Sequence, residues 1–197
     1  MGSTSKVIII FIILICIIFY FLKRSSQPTL QESSIPPEKE SVGEEKEDIQ
    51  NMKLTSPVFE NNQLIPSKYA CDGEDINPPL QISEVPEGAK SLVLIVDDPD
   101  APMGTWDHWI VWNIDPDTGK IEEDSVPEGA VEGLNDFRKH SYGGPCPPSG
   151  THRYFFKLYA LDTQLELDDS SRKKDVERAM KGHILDTAEL IGLYQRQ

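Results

Sequence analysis

Val7 to Leu22, VIIIFIILICIIFYFL, is an unbroken apolar run of 16 residues, with Lys6 before it and Lys23 and Arg24 after it. No loop in water tolerates such a run. As a helix it spans about 24 Å, close to the hydrocarbon core of a bilayer once the flanking cationic side chains reach for the headgroups. Bulky residues fill it to its end and no A-x-A-like pair follows, which sets it apart from a cleaved signal peptide. Ile15 is too large to precede a lipoprotein Cys16, and Lys6 stands where myristoylation wants Ser or Thr. Residues 7–22 are therefore expected to be an uncleaved single-pass anchor behind a short tail, residues 1–6. Residues 23–52 hold only five hydrophobic side chains and the run Glu44-Glu45-Lys46-Glu47-Asp48, the composition of a flexible acidic linker. A folded domain is left residues 53–197, which is 145 residues, enough for one core and too few for two ordinary ones.

The chain carries 33 acidic against 19 basic side chains; within residues 53–197 the count is 26 against 14, a balance of −12. Such a surface repels polyanions, so nucleic acid is excluded as a partner. The amino terminus and Lys6 on one side of the apolar run nearly match Lys23 and Arg24 on the other. The expectation is a cell-membrane protein whose domain lies outside the cytoplasm, as short-tailed prokaryotic-type anchors commonly arrange it. Of the three cysteines, Cys16 lies in the anchor, and Cys71 and Cys146 are the one pair in the domain that could bridge. Whether they do stays open at this level.

The domain reads as strands separated by proline-rich turns. Ser91 to Asp97, SLVLIVD, is continuous enough to belong at the centre of a sheet. His108 to Ile114 and Arg153 to Leu161 are dense in aromatic and β-branched residues and read as further strands. Weaker strands are expected near Leu54, at Val58 to Phe59, at Leu80 to Ile82 and at Leu190 to Tyr194. Helix is expected at the end, over Arg172 to Met180, closed by Gly182, with a second short helical stretch over Ile184 to Glu189. The class is mostly β with short C-terminal helices.

Three clusters can carry chemistry. Asp98-Pro99-Asp100-Ala101-Pro102 follows the strongest strand, and its two prolines force a stiff turn that holds two carboxylates close, suited to a cation or a shared proton. The same spacing fits an ordinary Asx-Pro turn. Trp106-Asp107-His108-Trp109 opens a strand, and its aromatic rings and imidazole fit either a pocket wall or a satisfied core. The loop from Ser141 to Tyr154, SYGGPCPPSGTHRY, offers glycine N–H groups to an anion and places His152 and Tyr154 on one face of the strand it enters.

Taken together, DPDAP, WDHW, YGGPCPPSGTHRY and AMKGHILDTAELIGLY resemble the phosphatidylethanolamine-binding protein family, which includes Raf kinase inhibitor protein, and within it the bacterial and archaeal branch. The resemblance covers residues 53–197. It implies a large central antiparallel sheet packed with a smaller one, short terminal helices, and one shallow anion pocket. The pocket positions of the family fall here on Asp98, Asp100, Pro102, Trp106, His108, Gly144, Pro145, His152 and Tyr154. Cys146 departs from the eukaryotic loop pattern. With the anchor, which lies outside the resemblance, the expected function is a membrane-tethered, non-enzymatic binding module for a phosphorylated small molecule or phospholipid headgroup, without metal or cofactor. The alternative is a protease or kinase inhibitor acting through a surface loop on a protein partner. A hydrolase built on Cys146 or Ser149 with His152 lacks the GxSxG elbow, and a zinc site from His108, His152, Asp98 and Asp100 has no recognised ligand spacing.

Overall fold

The computed structural model describes residues 51–196. The anchor expected over residues 7–22, and all but the last two residues of the expected linker, lie outside the described residues. No helix among the described residues is long and apolar enough to cross a membrane.

The strands in chain order are β1 (Lys53–Thr55), β2 (Gln63–Leu64), β3 (Leu80–Ser83), β4 (Ser91–Asp98), β5 (Trp106–Ile114), β6 (Lys120–Ile121), β7 (Val131–Glu132), β8 (His152–Leu161) and β9 (Ile184–Tyr194), with one α-helix, α1 (Lys173–Met180), before β9. A six-stranded sheet runs β2-β9-β8-β4-β5-β7 and a three-stranded sheet runs β1-β3-β6. Every pairing is antiparallel except the short β2–β9 contact.

β4 sits inside the large sheet with all eight residues buried. A strand covered on both faces needs no polar alternation, which is why its sequence is an unbroken apolar run. Its side chains divide by parity. Leu92, Leu94 and Val96 join Trp109, Tyr154, Phe156 and Leu158 against Leu54, Leu80 and Ile82 of the small sheet. Val93 and Ile95 join Ile110 and Trp112 on the opposite face, under Val176 and Met180 of α1.

The expected strands at Leu54, Leu80, Ser91, His108, Arg153 and Leu190 form. Val58 to Phe59 does not; Phe59 is a core side chain on irregular backbone, and its ring packs 5.7 Å from that of Phe156. Helix α1 forms as read, and Gly182, with φ of +87°, ends it. The second helical stretch is overturned: Ile184 to Glu189 is the first half of β9, paired with β8 from Leu161↔Ile184 to Lys157↔Glu189. The edge of β8 offers that segment a ladder of backbone hydrogen bonds, and this outweighs its weak local preference for helix.

Candidate functional site

β4 ends in Asp97 and Asp98, and strand alternation sends them to opposite faces. Asp97, fully buried, accepts from Lys157 Nζ at 2.8 Å and Lys173 Nζ at 2.5 Å, tying α1 to the back of the sheet. Asp98, 3% exposed, faces the other way, and its Oδ2 lies 2.7 Å from Nδ1 of His152. The Asp98 Oδ1 accepts the Asp100 N–H at 2.8 Å, closing an Asx turn over Pro99. Asp100 turns outward. Arg153 holds it from Nε at 2.9 Å and Nη2 at 2.6 Å, and this guanidinium pushes the Asp100 carboxyl down to about 2. Of the two readings that the spacing allowed, the Asx turn is the one that forms, with Asp98 inside and Asp100 engaged at the surface.

β5 carries one extra residue where it leaves β4. Val96 pairs with Trp109 but Asp97 pairs with Asp107, so His108 is the bulged residue. Its Nδ1 lies 2.6 Å from the Gly143 carbonyl, which makes that nitrogen the donor and leaves Nε2 with a lone pair in the neutral ring. Burial pulls the His108 pKa below its ordinary value, against the pull of that carbonyl and of Asp98 and Asp97. Phe137 and Tyr154 stand edge-on to the imidazole, each at 5.2 Å between centroids, and Trp106 meets Phe137 at 5.5 Å.

The glycine loop is closed on itself. Gly143 N–H donates to the His108 carbonyl at 3.1 Å and Gly144 N–H to Oδ1 of Asp75 at 2.7 Å. These are the donors expected to meet an anion, and both are used within the protein. The Pro145 carbonyl accepts the Cys71 N–H at 3.1 Å, and Cys71 and Cys146 form a disulfide with Cα atoms 5.4 Å apart. With its sulfur in that bond, Cys146 has no thiolate to act as a nucleophile.

A cavity of about 230 Å³ opens between these elements, lined by Asp98, Ala101, Pro102, Trp106, His108, Phe137, Cys146 and Pro148. Of the residues singled out from sequence, Asp98, Pro102, Trp106 and His108 form its wall. His152 and Tyr154 stand one contact behind, against Asp98 and His108 respectively. Asp100 faces Arg153, and Gly144 and Pro145 anchor the loop. Phe137 and Pro148 were missed: Phe137 lies outside every motif, and Pro148 is one of three prolines in a loop whose register only the fold reveals. The Trp106 Nε1 atom, on this wall, and Trp112 Nε1, in the core on the opposite face of the sheet, are buried donors without a partner, while the Tyr154 hydroxyl is engaged by the Asp98 carboxylate and the Cys146 backbone. A second cavity of about 270 Å³, bordered by Asp75, Trp109, Glu132 and Tyr142, contains none of these residues.

Residues 55–195 match the family described as phosphatidylethanolamine-binding protein. The chain belongs to the phosphatidylethanolamine-binding protein family. Within the family it is 53% identical to a UPF0098 protein of Methanothermobacter thermautotrophicus over 150 residues, 74% of this chain and 99% of that one. It is 51% identical over 163 residues to a UPF0098 protein of Pyrococcus horikoshii, 79% of this chain and 80% of that one. The crystal structure of a putative family homologue from Chlamydia trachomatis superimposes with a TM-score of 0.73 at 46% identity, covering 75% of this chain and 99% of the other. Escherichia coli YbcL, described as a new member of the mammalian family, gives 0.71 at 33% identity, covering 75% and 99%. The two solved structures share the fold of this chain, whose two sheets and one short helix carry the cavity.

Proposed function

We propose that the protein is a membrane-tethered, non-enzymatic binding module whose cavity at Asp98, Pro102, Trp106 and His108 takes a phosphate-like anion, either a phosphorylated small molecule or a lipid headgroup. The observation that carries this reading is the unpartnered buried donor Trp106 Nε1–H on the cavity wall. A buried donor without an acceptor costs about 1–3 kcal/mol, which an entering anion recovers. With the glycine N–H groups engaged, the site's donors are side chains: the indole of Trp106 and, once its ring takes up a proton, Nε2 of His108. Asp98 is held in its orientation on the wall by His152, whose Nδ1 sits 2.7 Å from its Oδ2.

Equilibrium titration with phosphate, phosphoserine and phosphoethanolamine tests the reading. Wild type is expected to bind at millimolar ligand or tighter, and His152→Ala, which strands the Asp98 charge, to lose binding. Identical silence from both proteins would sink it. Equal affinities for phosphate and phosphoethanolamine would point to free phosphate groups, and a preference for the latter to headgroups.

The tether and its side of the membrane belong to the same proposal. The apolar run at residues 7–22 supports a single-pass anchor, and the Cys71–Cys146 disulfide supports a domain in an oxidising compartment, outside the cytoplasm. Protease added to intact cells is expected to release the domain; full protection would reverse the orientation.

The inhibitor reading has one observation in its favour. Met103, 96% exposed, sits at the tip of the loop that carries Pro102. If that loop engages a protease, Met103→Glu relieves inhibition while leaving phosphate binding intact.

A further inference from the structure

We infer that Asn135, which no motif brought forward, is the positioning residue of the cavity. The inference rests on the binding reading above for its consequence and on geometry for its substance. Asn135 is fully buried. Its Nδ2 donates to the carbonyl of His108 at 3.0 Å and to that of Ser141 at 2.8 Å, and its Oδ1 accepts the Lys139 N–H at 3.0 Å. One side chain thus joins three segments that meet at the site: the β5 bulge, the turn after β7, and the start of the glycine loop.

Each bond has a role in shaping the cavity. The His108 carbonyl receives both Asn135 Nδ2 and the Gly143 N–H, while the His108 ring donates back to the Gly143 carbonyl. Asn135 holds the backbone end of that reciprocal pair, so it sets the angle at which the bulge presents the imidazole. The bond to Lys139, with the Arg138 N–H on the Asn135 carbonyl at 3.0 Å, closes the turn whose outer residue is Phe137. Asp136 fastens the same turn to β5 through Asp107 N–H on its Oδ2 at 2.8 Å. Phe137 then lies against both Trp106 and His108 and forms part of the cavity wall.

Asn77 is the internal control. It is 4% exposed, and its amide bonds the carbonyls of Pro78 and Glu122 and the Ser125 N–H, an equal load placed away from His108. Asn135→Ala and Asn77→Ala are compared by thermal melting, by ¹⁵N NMR of the His108 ring without ligand, and by titration with inorganic phosphate. Both variants are expected to lose comparable stability. Only Asn135→Ala is expected to lose the single-tautomer pattern of His108 and about tenfold in phosphate affinity, the equivalent of one buried hydrogen bond. Asn135→Ser, which keeps one donor, is expected to fall between and serves if the alanine variant does not fold. Wild-type His108 signals in the folded Asn135 variants, or the same change in Asn77→Ala, overturn the inference. Should wild type itself not bind phosphate while the His108 pattern still collapses in Asn135→Ala, the binding reading fails and the positioning role stands.

Discussion

At the scale of single residues, the site is governed by which way each side chain turns and which atoms remain unpaired. Gly144 has no room for a methyl group: a Cβ there would lie 2.5 Å from the Tyr69 carbonyl oxygen and 2.9 Å from Ala70 Cα. Those atoms belong to a backbone tied down one residue later by the disulfide. Gly144→Ala is therefore expected to cost about 1–3 kcal/mol in urea unfolding; an unchanged midpoint would show that the loop can retreat. His108 makes binding proton-linked. Burial holds its pKa below the ordinary value, so the free ring is neutral near pH 7, while a bound anion favours the imidazolium. The groups facing it are Asp98, Tyr154 and the Gly143 carbonyl, with Asp97 acting through the sheet. Binding thus takes up a proton, and affinity rises as pH falls. Sulfate, whose charge is constant over the range, is expected to bind several-fold more tightly at pH 6 than at pH 8, and to lose that dependence in His108→Gln. The same linkage acts on stability with the opposite sense: the unfolded ring takes a proton below about pH 6.5 that the folded one resists, so this contribution is lost on acidification.

At the scale of elements, two departures from regular geometry build the cavity. The bulge at His108 turns one residue of β5 out of register, and the Asx turn after β4 separates Asp98 from Asp100. β9 has the reverse character, a segment drawn into regularity by its neighbour. Along it the Thr187 and Ile191 N–H groups point outward, to Asp186 Oδ1 and Asn61 Oδ1, so Ala188 N–H points inward to β8 opposite Leu158. Ala188→Pro removes that ladder bond and is expected to cost about 3 kcal/mol or more, read as a lowered urea midpoint. Thr187→Pro, on the outward side, is the milder change. Equal effects would mean that the first half of β9 contributes little to the sheet.

At the scale of the whole molecule, the Cys71–Cys146 disulfide closes a loop across a sequence separation of 75 and joins the turn before β3 to the cavity wall. Closing a loop of that size stabilises a fold by about 4 kcal/mol through the unfolded chain. Cys71→Ser with Cys146→Ser is expected to lose about 2–4 kcal/mol in guanidinium unfolding and to weaken phosphate binding, because Cys146 is itself part of the wall. Unchanged binding in the folded double variant would show that the hydrogen bonds of Gly144 and Pro145 suffice to hold it. By itself the sequence determined β4, β5 and β8, whose apolar and aromatic density has no other outlet, and the family, whose four motifs stand in register. It also marked Asp98, Pro102, Trp106 and His108, because a stiff turn and a tryptophan-rich strand start are local signals. Only the tertiary structure decided that Asp98 and Asp100 part company, that the glycine donors are already used, that the two cysteines meet, and that Phe137 and Asn135 belong to the site. Local signals report what a segment can do alone. Which face a side chain takes after a one-residue bulge, and which donor is left unpaired, depend on partners distant in sequence.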